Sequence, residues 1–278
     1  MNLAEAVTDD VRRALREDVG AGDLTADLLP AGSTASARVI SREAAVLSGS
    51  AWFEEVFRQL DSRVSVAWEA MDGAALEPEQ LVCRLHGPTA ALVTGERTAL
   101  NFLQLLSGTA SVTREHVEAL GESATRLLDT RKTVPGLRLA QKHAVRCGGG
   151  VNHRLGLFDA LLIKENHVLA CGSVSAAVAH ARARHPGRSV ECEVETLAEL
   201  EEAVLAGADI VLLDNFSLQD MRRAVELNAG RARLEVSGNV ALDQLAGIAA
   251  TGVDYISCGG LTKHVRAVDF SMRIEVGD

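Results

Sequence analysis

Aromatic residues are scarce in this chain, at 3% of 278 positions. Aliphatic packing must therefore fill the core, and stacked rings that could hold single-stranded nucleic acid are not expected. Positive charge is also short, with a formal net charge of −10, which argues against nucleic acid or an anionic membrane as the main partner. No basic, then apolar, leader opens the chain, and no apolar run approaches spanning length. The five cysteines, Cys83, Cys147, Cys171, Cys192 and Cys258, include no CxxC pair. They are expected to be reduced, mostly buried thiols of a cytoplasmic protein, and they speak against a zinc site. A GxGxxG fingerprint is missing too, which disfavours a dinucleotide fold.

What is present is an ordinary globular balance, 47% hydrophobic and 24% charged, in a length that suits one large α/β domain or two modest ones. The N-terminal half mixes the two periodicities. Residues 2–17 and 89–106 repeat apolar positions at helical spacing, as do Trp52, Phe53, Val56, Phe57 and Leu60. Residues 34–48, 63–70 and 80–86 alternate as strands do. The second half keeps a different rhythm. Short apolar runs at 126–128, 160–163, 189–194, 209–213, 232–236 and 253–258 each end in polar or glycine-rich residues. Markers at Asp129, Lys164, Glu193, Asp214, Ser237 and Gly259 stand 35, 29, 21, 23 and 22 residues apart, the length of a βα repeat. A parallel barrel explains the polar strand ends, because such ends converge on one mouth. The closing "AVDFSMRIEV" alternates as a half-buried strand and is expected to return to the N-terminal sheet.

The mouth is predicted to gather Arg131, Lys132, Lys164, Glu193, Glu195 and Asp214, with His153 and Arg154 from the loop "GGGVNHR". Residues 131–167 set seven cations against Asp159 and Glu165 alone, so this stretch is basic within an acidic chain. Convergent guanidinium and ammonium groups suit a dicarboxylate or a phosphate. Glu193 and Asp214 suit a Mg²⁺ that also binds substrate phosphates. The turns "SGN" (Ser237, Gly238, Asn239) and "CGG" (with Gly259 and Gly260) fall where barrels build phosphate pockets. Plainer roles remain open: an ion pair of Lys164 with Glu165 or Glu193, a salt bridge from Asp129 to Arg131, a helix cap for Glu195, and satisfied or surface positions for His143 and His167.

"LLDTRKTVPGLRLAQKHAVRCGGGVNHRLGLFDALLIKENH" (127–167) resembles the signature region of the quinolinate phosphoribosyltransferase family. "ALREDVGAGDLT", "RTALNFLQLLSG", "ECEVET", "LLDNF" and "GVDYISCGGLT" extend the likeness over nearly the whole chain. The resemblance implies an α/β sandwich, residues 1–108 joined by strand 267–278, followed by an open, irregular α/β barrel, residues 109–266. It implies transfer of a phosphoribosyl group to quinolinate with decarboxylation, in a homodimer or a higher assembly of dimers. By the same resemblance Arg131, His153, Arg154 and Lys164 hold the quinolinate carboxylates, with Arg97 reaching in from the partner subunit. Lys132, Glu193 and Asp214 serve the ribosyl pyrophosphate and its Mg²⁺ as catalytic residues, and the turns 237–239 and 258–260 take the 5′-phosphate. One departure is "GGLTKH" (259–264), where relatives often carry "GALTHS", so Lys263 stands in place of a histidine. A Schiff-base lyase using Lys164 or Lys132, and a non-catalytic binding paralogue, are the competing classes.

Overall fold

The computed structural model describes residues 2–238 and 240–275. The N-terminal half runs α1 (Leu3–Asp18), β1 (Thr34–Ser41), β2 (Ala45–Val46), α2 (Ser50–Leu60), β3 (Ser65–Trp68), β4 (Ala75–Leu76), β5 (Leu81–Pro88) and α3 (Thr89–Glu118). Next come β6 (Arg126–Leu128), α4 (Arg138–Cys147), β7 (Leu161–Ile163), α5 (Glu165–Cys171), α6 (Val174–Arg184), β8 (Val190–Val194) and α7 (Leu197–Leu205). The chain closes with β9 (Ile210–Asp214), α8 (Leu218–Asn228), β10 (Arg233–Ser237), α9 (Leu245–Ala249), β11 (Tyr255–Ser257), α10 (Gly260–Lys263) and β12 (Phe270–Glu275).

Contacts divide the chain into two compact units. The first comprises residues 1–114, 133–149 and 261–278, and the second residues 115–132 and 150–260. The division read from the sequence, at 108/109 and 266/267, follows the order of elements, whereas the contacts group residues 109–114, 133–149 and 261–266 with the first unit. Helix α4 explains the difference: Ala140 and Ala144 on it are fully buried within the first unit's core.

The first unit is built on an antiparallel sheet in the order β12-β1-β5-β3. The closing strand pairs with β1, Ser41 opposite Phe270 and Ser36 opposite Glu275, as its alternation predicted. Strand β1 buries every second side chain, so Ala35, Ala37 and Val39 meet the helices. Against this face lie Trp52, Phe53 and Phe57 of α2, all essentially inaccessible to solvent. Helix α1 starts in a capping box, Asn2 accepting from the Glu5 amide at 2.9 Å and Glu5 from the Asn2 amide at 3.0 Å.

Helix α3 outruns its sequence signal. The apolar pattern predicts an end near 106, but the helix continues to Glu118. Ser107, Thr109 and Thr113 are fully buried there, and Ser111 and Thr113 donate their hydroxyls to the carbonyls of Ser107 and Thr109, both at 2.7 Å. Hydroxyls satisfied inside the helix read as a polar break in the sequence. Arg97 lies well inside α3, about two turns past its start.

The second unit is a six-stranded parallel sheet in the order β6-β11-β10-β9-β8-β7. All six apolar runs read from the sequence are its strands. Strands β6 and β7 form its two edges and do not pair with each other, which makes the α/β barrel open and irregular. Ser173, Thr196 and Ser217 cap α6, α7 and α8 through their side chains, so each strand end passes into a fixed helix start.

Candidate active site

Side chains alternate along a strand, so residues two apart share a face. Leu162 and Lys164, Glu191 and Glu193, Leu212 and Asp214, Glu235 and Ser237, and Tyr255 and Ser257 therefore form same-face pairs on or at the ends of β7 to β11. Their registers agree: Glu193 is level with Leu212, Leu212 with Glu235, and Asp214 with Ser237. A pocket opens on this face at the carboxyl ends of the strands. It is lined by Thr130, Arg131, Lys132, His153, Arg154, Leu162, Lys164, Glu193, Leu212, Glu235, Ser237 and Ser257. Seven of the residues singled out in the sequence are among them.

The loop after β6 is held by a buried anion. Asp129, with no exposed surface, accepts from Asn152 Nδ2 at 2.7 Å and from the His153 amide at 2.9 Å. These bonds fix the "NHR" loop beside Arg131. Arg154 is lowered from its ordinary value, first by burial and then by the neighbouring Arg131 guanidinium. Two cations crowded in this way gain most from a ligand that brings negative charge.

Deeper in the pocket, His153 Nε2 lies 2.9 Å from Glu191 Oε2 and 3.5 Å from Glu235 Oε2. Burial opposes charge on the imidazole, yet its hydrogen bonds to Glu191 and Glu235 outweigh burial and push His153 up to about 10. Burial, joined by the charge of Glu235, raises Glu191 as well. The Arg154 amide donates to His153 Nδ1 at 2.7 Å, a bond that fits a bare Nδ1 and so a neutral ring. The raised direction governs, because two buried carboxylates face the ring and only one backbone bond is lost when Nδ1 takes a proton.

Glu191 and Glu235 were missed by the sequence reading. Their signal was available, since each is a carboxylate inside an apolar strand, two residues before a strand-end residue already singled out.

Lys164 makes an ion pair with Glu193, one of the two pairings left open for it. Asp214, at the end of β9, accepts from Asn215 Nδ2 at 2.9 Å. Burial raises Asp214, and the charge of Glu193 adds to this against the pull of Lys164 and Lys132. A divalent cation would relieve that repulsion, so the donor pair fits Mg²⁺. Gly238 sits at φ +105°, where an added Cβ would collide with the Asn215 amide. At Gly259 a Cβ would stand 2.9 Å from Lys132 Cδ and 3.4 Å from Thr130 Oγ1. Neither position has room for a side chain, so each turn requires glycine here. Gly260 opens the short α10, and Asn239 lies outside the described residues. Arg97 and Lys263 belong to the first unit, and both are exposed. Glu195 and His167 are exposed as well, and His167 Nδ1 accepts the Lys164 amide at 3.0 Å.

Parallel strands that end in cations and carboxylates around one pocket define an α/β enzyme acting on a small anionic substrate. Residues 23–107 match the family "Quinolinate phosphoribosyl transferase, N-terminal domain" and residues 109–273 its C-terminal domain. The chain belongs to the quinolinate phosphoribosyltransferase family. It is 41% identical over 263 residues to a Bacillus subtilis protein named probable nicotinate-nucleotide pyrophosphorylase (carboxylating), covering 94% of this chain and 91% of the relative. A Nicotiana tabacum relative named quinolinate phosphoribosyltransferase (decarboxylating) 1b is 36% identical, over 95% of this chain and 81% of that one. The solved structure of the nicotinate-nucleotide pyrophosphorylase from Francisella tularensis superposes with a TM-score of 0.96 at 46% identity, covering 99% of this chain and 98% of that one.

Proposed function

We propose that this chain joins quinolinate to phosphoribosyl pyrophosphate, giving nicotinate mononucleotide, pyrophosphate and CO₂, a step of NAD biosynthesis. The observation that carries this reading is one pocket holding Arg131, Lys132, His153, Arg154, Lys164 and Glu193 together. Arg131, Arg154 and Lys164 bind the two ring carboxylates, and the paired guanidinium charges are relieved by that dianion. His153, kept cationic by Glu191 and Glu235, adds a donor from the pocket floor. Lys132 stabilises charge on the departing pyrophosphate, while the ring nitrogen attacks an oxocarbenium-like C1′. Glu193 and Asp214 would hold Mg²⁺, whose charge supports the same leaving group. Ser237, Gly238, Asn239, Gly259 and Gly260 take the 5′-phosphate. The quaternised nitrogen then stabilises the carbanion left as the adjacent carboxylate departs. Neither step needs a general base. Lys164 is paired with Glu193 and about half exposed, not desolvated as a Schiff-base lysine would be, which disfavours a lyase.

Catalysis is assigned to a homodimer in which Arg97 completes the partner's site, within a cytoplasmic protein. In support, Arg97 is exposed on α3, and among the described residues its guanidinium makes no hydrogen bond or ion pair. No helix among the described residues is long and apolar enough to cross a membrane.

Release of labelled CO₂ from pyridine-2,3-dicarboxylate, with and without phosphoribosyl pyrophosphate, tests the reaction. Release that does not depend on phosphoribosyl pyrophosphate would refute it. For the dimer, Arg97→Ala and Lys164→Ala chains are mixed after subunit exchange is verified. About a quarter of wild-type activity should return, since half the dimers then carry one intact site of two. No recovery would show that Arg97 does not act across a dimer.

A further inference from the structure

In the first unit, three side chains of metal-binding type meet that the reaction above does not use. Asp72 stands between β3 and β4, and His143 and Cys147 lie one turn apart on α4. His143 Nε2 is 2.9 Å from Asp72 Oδ2 and 3.4 Å from Cys147 Sγ, and the three donor atoms all lie within 4.8 Å of one another. We propose that Asp72, His143 and Cys147 form a Zn²⁺ site.

The hydrogen-bond geometry favours this over an ion pair with a bystander thiol. An imidazole nitrogen carries one in-plane lobe, either a lone pair or one N–H. Here an oxygen and a sulfur both approach the same Nε2. A single proton serves one of them well, whereas a cation at the focus of all three satisfies each. Thiolate, imidazole and carboxylate are the donors zinc takes, and their softness selects it over Mg²⁺. With bonds of ~2.0–2.3 Å, a tetrahedral ion sets N and O roughly 3.4 Å apart and N and S roughly 3.6 Å apart. The two contacts to His143 Nε2, at 2.9 and 3.4 Å, therefore need to open by no more than about half an ångström.

The surroundings resemble a built site. The backbone amides of Gly49 and Ser50 donate to Asp72, each at 3.2 Å, and orient its carboxylate as outer-shell donors do. The Trp52 ring stands 5.6 Å from that of His143 and walls its apolar side. The side chains of His143 and Asp72 keep 21% and 16% of their surface exposed, which gives an ion entry and leaves room for water as a fourth ligand. Binding releases the thiol proton to solvent and also removes the proton that His143 Nε2 donates to Asp72, which goes to solvent or, in a neutral ring, to Nδ1. The ion ties α4 to the start of α2 through Asp72, so its role is structural.

Cobalt(II) titration of the full chain, without an affinity tag and in Mg²⁺ buffer, tests the site. One equivalent should produce a sulfur-to-cobalt charge-transfer band and the intense visible bands of a four-coordinate ion, both displaced by Zn²⁺. Cys147→Ala should abolish the charge-transfer band and Cys171→Ala should keep it. His143→Gln and Asp72→Asn, checked for intact folding by circular dichroism, should each weaken cobalt binding at least about tenfold. Three results would overturn the proposal: no charge-transfer band in the wild type, a band that survives Cys147→Ala, or unchanged affinity in His143→Gln.

Discussion

The two units use their interiors differently. The first buries rings and aliphatic chains, with Trp52, Phe53 and Phe57 at its centre and the Trp52 Nε1–H satisfied by Asp10 at 3.1 Å. The second gives interior strand positions to charge. Asp129, Glu191 and Glu235 are buried there, and oxygens of both glutamates lack a hydrogen-bond partner. Such oxygens are costly, and an enzyme retains them where they tune a neighbour. The contrast teaches that stability and activity should separate between the units.

The sharpest way to break it is Trp52→Ala, which should cost about 3–5 kcal/mol in denaturant unfolding, as large core truncations do. Stability left within 1 kcal/mol would mean that this core is not the first unit's anchor. Arg154→Ala should invert the pattern. The unfolding midpoint should hardly move, while quinolinate affinity drops by the roughly 1.5–3 kcal/mol of a lost charged contact and phosphoribosyl pyrophosphate affinity is largely kept. Calorimetry showing equal losses for both ligands would remove Arg154 from the dicarboxylate. Asp214→Asn should raise the Mg²⁺ requirement while leaving quinolinate binding intact, and full activity in EDTA would defeat that assignment.

A smaller effect concerns pH. His153 in the fold is pushed from 6.5 up to about 10. A raised histidine stabilises the folded state fully below the unfolded value and loses that contribution as pH climbs through the folded one. The stability tied to His153 should therefore fade between pH 6.5 and 10, and Glu191→Gln should flatten the slope. An imidazole NMR titration with its midpoint at or below 6.5 would show that burial governs instead. Smallest of all is the surface pair Arg63–Asp61, where the arginine side chain is 75% exposed. Arg63→Ala should leave the unfolding midpoint unchanged within error.

Much of this was legible in the sequence because it is local. The six parallel strands announce themselves as apolar runs that end in polar residues, and Arg131, Lys132, Lys164 and Glu193 stand at or just past those ends. What stayed hidden depends on packing. The last turns of α3 look polar until their hydroxyls find carbonyls within the helix. Glu191 and Glu235 gain meaning only when His153, brought round by Asp129, settles between them. The meeting of Asp72, His143 and Cys147 is of the same kind: Cys147 stands four residues from His143 on one helix, whereas Asp72 joins them from 71 residues upstream. Spacing along the chain could not reveal that partner.

The route of the chain has a consequence for how this protein is made. Residues 133–149 and 261–278 return to the unit that residues 1–114 began, so the polypeptide passes between units four times. Strand β12, which borders β1 in the first sheet, comes last in chain order among the described strands. All six strands of the second unit emerge before it. The first unit, begun before the second, is therefore completed only after all six strands of the second have been made, and β1 waits that long for this neighbour.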